Sequence, residues 1–184
     1  MAKLKQLVLK PQDAVVALKL ALGREAGRTY ATLAHELALS PSEVHKSINR
    51  CVQAGLLARV KVGRRPLHEA LEPVVPALLE FLEHGLPYAF PAVRGGSSRG
   101  MPTAHAVRPL SDHLTSGNEP PPVWPSPSGG ARGVAVSPLY PGVPVAAAQD
   151  AQLYACLALI DALRIGRARE RSLAAQLLRE ELQP

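Results

Sequence analysis

From Ser42 to Gln53 the polar side chains recur at helical spacing and gather Ser42, Lys46, Asn49, Arg50 and Gln53 on one side, with Glu43 and His45 flanking them. The chemistry of that set is nucleic-acid recognition. Asn and Gln can form paired hydrogen bonds to adenine, Arg to guanine, and Lys can meet phosphate. A few residues later Arg59-Val60-Lys61-Val62 alternates polar and apolar as a strand does, and Gly63-Arg64-Arg65-Pro66 is a turn carrying two guanidinium groups. A basic turn beside such a helix suits the phosphate backbone or a neighbouring minor groove. The expected contact set is therefore Ser42, His45, Lys46, Asn49, Arg50, Gln53, Arg59, Lys61, Arg64 and Arg65, and the expected partner is double-stranded DNA.

Other groups carry less. Glu80 and His84 stand four residues apart on a helical pattern and could supply two metal ligands, but no third ligand follows at a suitable spacing. Arg94-Gly-Gly-Ser-Ser-Arg-Gly100 lacks the Gly-Lys-Ser/Thr ending of a phosphate cradle and is expected to be a mobile basic loop. Thr103, His105, Asp112 and His113 lie near one another in sequence with no motif to order them. Arg164, Arg167, Arg169 and Arg171 are expected as solvated charge at a helical hinge. No catalytic residue, metal or cofactor is expected, and the chain is not expected to be an enzyme.

The elements that position the polar set are legible on either side of it. Pro11 opens a helix with Asp13 near its positive end and Val15, Leu18 and Leu22 on one stripe. Thr29 can cap a second helix with Tyr30, Leu33, Ala34 and Leu37 turned inward. Ser40-Pro41-Ser42-Glu43 opens the third as a capping box. On that helix Val44, Ile48, Cys51 and Val52 share the side opposite the polar set. Gly55 supplies the stop, and Leu56-Leu57 returns the chain to the core.

The run from Leu33 to Leu57 resembles bacterial winged-helix regulators of the MarR type and their relatives, through Ala34, Leu37, Leu39, Ser40, Val44, Ile48 and the Gly55-Leu56-Leu57 exit. The resemblance covers the N-terminal part of the chain only. It implies a winged helix-turn-helix whose third helix enters the major groove, and a sequence-specific transcription regulator acting as a repressor. Two features depart from the family. The wing is short, and the region after Gly85 lacks the long dimerisation helix, so ligand sensing is not carried over.

Composition supports an anionic partner: 21 Lys plus Arg against 15 Asp plus Glu among 184 residues, for a net charge of +6. Three zones follow from pattern. Residues 1–85 are the expected winged helix-turn-helix domain, 86–149 a Pro/Gly-rich irregular subdomain or arm, and 150–184 a C-terminal helical hairpin. The middle zone holds most of the 18 prolines, which argues against long helices and central strands there. The fold class expected is mainly α. A surplus of apolar surface on the hairpin suggests a homodimer. Cys51 and Cys156 are too few for a disulfide framework, and no long apolar run suggests a membrane span, so a cytoplasmic location is expected. The alternative function is an antitoxin-like or adaptor protein that binds a partner protein through residues 86–149.

Overall fold

The computed structural model describes residues 6–23, 29–61, 69–114 and 119–183. The chain opens with three helices, α1 Pro11–Leu22, α2 Tyr30–Glu36 and α3 Pro41–Gln53. Each start is set by local chemistry. The Asp13 carboxylate accepts from the Lys10 N–H at 2.8 Å, the Thr29 hydroxyl from the Thr32 N–H at 3.1 Å, and the Ser40 hydroxyl from the Glu43 N–H at 3.2 Å. Gly55, at φ +77, ends α3 in the left-handed region. Leu56 and Leu57 are then buried, and β1 Leu57–Lys61 pairs antiparallel with β2 Glu69–Pro73.

The second half begins with α4 Val75–Glu80, which runs through a π-helical turn, Phe81–Gly85, into α5 Leu86–Ala89. Three strands follow: β3 Arg94–Pro102, β4 Pro122–Pro125 and β5 Ala131–Val136. Each pairs with the other two, β3 antiparallel to both and β4 parallel to β5. The chain closes with α6 Val143–Gln149, α7 Ala151–Ile165 and α8 Ala168–Leu182.

The expectation of a mainly α, winged helix-turn-helix fold is overturned. Five strands in two sheets among the described residues make the protein mixed α/β, and the N-terminal helices share one hydrophobic core with the rest. Among the described residues of 86–149 three strands form, and Arg94 to Gly100 is a strand rather than a loop. Prolines do not prevent the sheet because they stand at strand ends, as Pro102, Pro122 and Pro125 do. Glycine makes the tight crossings possible: a Cβ on Gly133 would lie 1.9 Å from the Pro121 carbonyl oxygen, and one on Gly100 2.1 Å from that of Trp124.

Helix α7 is the centre of the core. From Cys156 to Leu163 every residue is buried, so its apolar surface is covered all round by this chain. The apolar surplus that suggests a dimer is thereby satisfied within one copy. Helix α1 is likewise buried continuously from Asp13 to Lys19, including both charged ends. Lys19 reaches Asp150 at 2.5 Å and Glu36 at 3.1 Å, joining α1 to α2 and to the start of α7. No helix among the described residues is long and apolar enough to cross a membrane.

Candidate nucleic-acid interface

Helix α3 presents Ser42, His45, Lys46, Asn49 and Gln53 to solvent, while Val44, Ser47, Ile48 and Cys51 are buried. Burial, assisted by the Asp13 charge and opposed by Arg50 and Ser47, pushes the Cys51 thiol up to about 12, so it is an inert core group at neutral pH. Beside the exposed row, Arg59 on β1 donates from Nη2 to the Asn49 Oδ1 at 2.7 Å. That contact fixes the amide orientation and occupies one Oδ1 lone pair. As placed, the Asn49 Nδ2 donor faces outward with only a long 3.4 Å approach to the His45 Nε2. Tyr30, expected inward, is instead 38% exposed and meets the His45 ring edge-on at 5.6 Å. Sequence pattern misses Tyr30 because it stands at the first position of α2, where the helical stripe is not yet established.

Arg50 requires a correction. Periodicity puts it with the outward set, yet its guanidinium donates Nε to the Asp13 Oδ2 and Nη2 to Oδ1, both at 2.7 Å, and Nη2 also meets the Glu43 Oε1 at 2.7 Å. Asp13 is 1% exposed and accepts in addition from the Ser47 hydroxyl at 2.6 Å. A buried carboxylate must be compensated, and Arg50 does this from a position on the seam between the two faces of α3. The Arg50 hydrogen bond, opposed by partial burial and assisted by Gln12 and Lys10, holds the Glu43 carboxyl below its usual range. Asp13, Glu43 and Arg50 therefore form a fixed brace between α1 and α3. The local signal for it is the pair of acids, one in the first turn of each helix.

Lys61 ends β1. Arg64 and Arg65 lie outside the described residues. Within the described part, Lys46 has no hydrogen-bond or ion-pair partner, and the acid nearest it in sequence on α3, Glu43, is already paired with Arg50 and Lys10. The exposed face thus carries cations, amides and an imidazole.

The remaining groups are distributed. Glu80 and His84 are exposed, and no cluster of three His, Cys, Asp or Glu suited to a metal occurs among the described residues. Thr103 is buried and donates to Asp161 at 2.8 Å, Asp112 pairs with Arg108 at 3.1 Å, and His113 is exposed. His105 lines a separate small cleft of about 220 Å³. Asp161 also accepts from the Trp124 indole at 2.5 Å and from Arg164 at 2.6 Å. Burial pushes its pKa up, and Arg164, Thr103 and Trp124 pull against that shift. Arg164 is 3% exposed in its side chain and also donates to the Phe90 and Ser137 carbonyls, so it is a core clamp rather than solvated charge. Compared with known proteins, the chain matches no family model, no curated protein and no solved structure.

Proposed function

We propose that this protein is a sequence-specific DNA-binding regulator that contacts the duplex through the exposed face of α3. The observation that carries this is the row His45, Lys46, Asn49 and Gln53 on one rigid helix, flanked by Arg59, with the adjacent carboxylates already neutralised by Arg50 and Lys10. Amides on a helix can read base edges, while Lys46 and Arg59 meet phosphates. Repression by occupancy of an operator is the simplest outcome of such binding.

The brace beneath α3 supports this reading energetically. A base-reading helix must hold its side chains in register before contact, and Asp13, Arg50 and Ser47 lock α3 onto α1 through buried charge-assisted hydrogen bonds. The adaptor alternative is less well supported, because Leu110, Trp124, Val136, Leu139 and Tyr140, which an arm would offer to a partner, are buried in the chain's own core. Selection from a pool of random duplexes tests the proposal. Enrichment of one motif supports it, whereas an unenriched pool after repeated rounds contradicts it.

A further inference from the structure

A cleft of about 400 Å³ lies between the π-helical turn with α5 and the outer face of α8. Its groups take no part in the α3 face, so a ligand held here is independent of the DNA proposal. Arg171, Ala175 and Arg179 line it at i, i+4 and i+8 of α8, and therefore from one side of that helix. The Arg179 guanidinium is held by Glu83, whose side chain is 4% exposed, through Nε at 2.8 Å and through Nη2. That pair is spent on fixing the wall. Arg171, by contrast, has no hydrogen-bond or ion-pair partner among the described residues, and neither has the Ser172 hydroxyl beside it.

Part of the remaining lining is apolar. Leu163, Pro87 and Ala175 supply an apolar floor, and Tyr88 stands at the rim with 80% of its surface exposed, the most exposed large hydrophobic side chain of the described residues. His84 is placed on the same rim by the π turn, a local departure from α geometry of a kind concentrated at functional sites.

We propose that this cleft binds a nucleoside monophosphate. Arg171, with the Ser172 hydroxyl, takes the phosphate; the base stacks on Tyr88, and the sugar lies over Leu163 and Ala175, while His84, whose Nε2 lies 3.7 Å from the Glu83 carboxylate, frames the rim. One unpaired cation matches one phosphate group, base stacking on an exposed aromatic is tolerant of base identity, and the volume is at the lower end of the range for small-ligand pockets.

The test is titration of the full chain by calorimetry, with amide shifts of Tyr88 and Ser172 followed by NMR, using AMP, CMP, adenosine and inorganic phosphate. Either monophosphate should bind saturably, with adenosine and inorganic phosphate each weaker by about tenfold or more. Arg171→Ala should remove that advantage of AMP over adenosine, and Tyr88→Ala should weaken both. Both positions are exposed, so an unchanged melting temperature checks that the variants fold. The proposal is overturned if neither monophosphate binds saturably, if inorganic phosphate binds as tightly as AMP, or if both substitutions leave AMP binding unchanged.

Discussion

The phenol of Tyr140 donates to the main-chain carbonyl of Leu37 at 2.7 Å, across 103 residues of sequence. Leu37 ends α2, and the next residue, Ala38, takes φ +50 to turn the chain toward α3. Gly142 lies against the same turn, where a Cβ would come within 2.9 Å of the Ala38 carbonyl oxygen. The segment before α6 thus holds the corner that aims the candidate interface. Tyr140→Phe removes one donor with little change of shape and leaves the carbonyl without it, at a cost of about 1–3 kcal/mol. Amide exchange at Leu39, which donates to the Ala34 carbonyl, should accelerate more than exchange within α7. Uniform acceleration across the molecule would mean that Tyr140 serves general stability only.

Arg50→Ala should destabilise the fold by about 3 kcal/mol or more, because it strands Asp13 as a buried, uncompensated carboxylate. Arg50→Lys should recover only part of the loss, since an ammonium cannot reproduce the two-pronged contact. Urea unfolding of the three proteins checks this. Equal midpoints for wild type and Arg50→Ala would show that the brace contributes nothing.

Lys19 and Asp150 give a pH dependence with a defined sign. Burial pushes the Asp150 carboxyl up, but the Leu153 N–H, the Lys19 ammonium and the Gln152 N–H outweigh it and hold the pKa below its ordinary 3.8. A depressed carboxylate contributes stability that is fully present above that ordinary value and is lost as pH falls through the folded-state value. Asp150→Asn keeps a competent helix cap and removes only the charge. Thermal unfolding should therefore show the variant less stable than wild type at pH 7, with the difference shrinking as pH falls through the depressed folded-state value below 3.8. A difference that does not change with pH would assign the effect to the cap rather than the ion pair.

Local chemistry makes the N-terminal elements legible: Pro11, Thr29, Ser40-Pro41 and Gly55 start and stop helices by backbone rules that need no distant partner. The apolar side of α3 follows from periodicity in the same way. Periodicity cannot supply how charges pair across elements. Arg50 sits on the seam of α3, and only the placement of Asp13 on α1 decides that it turns inward. The three-stranded sheet is hidden because β4 is four residues long and begins and ends on proline, and because β3 and β5 carry glycines at crossings such as Gly133 on Pro121 rather than an alternating pattern. Helix α7 is legible as a helix, but its burial on all sides is not, since the covering surfaces come from α1, α5, α6 and α8. Loss of residues 150–184 should therefore unfold the chain rather than release a dimer.

The central claim, that α3 reads duplex DNA, is tested most directly by fluorescence anisotropy on a selected duplex and a random one, across a series of salt concentrations. Asn49→Ala should weaken the selected duplex by about 1–3 kcal/mol and leave the random duplex nearly unchanged. Lys46→Ala should weaken both and lower the slope of log K against log salt by about one phosphate contact. Equal loss on both duplexes for Asn49→Ala, together with an unchanged slope for Lys46→Ala, would contradict the assignment of this face to DNA.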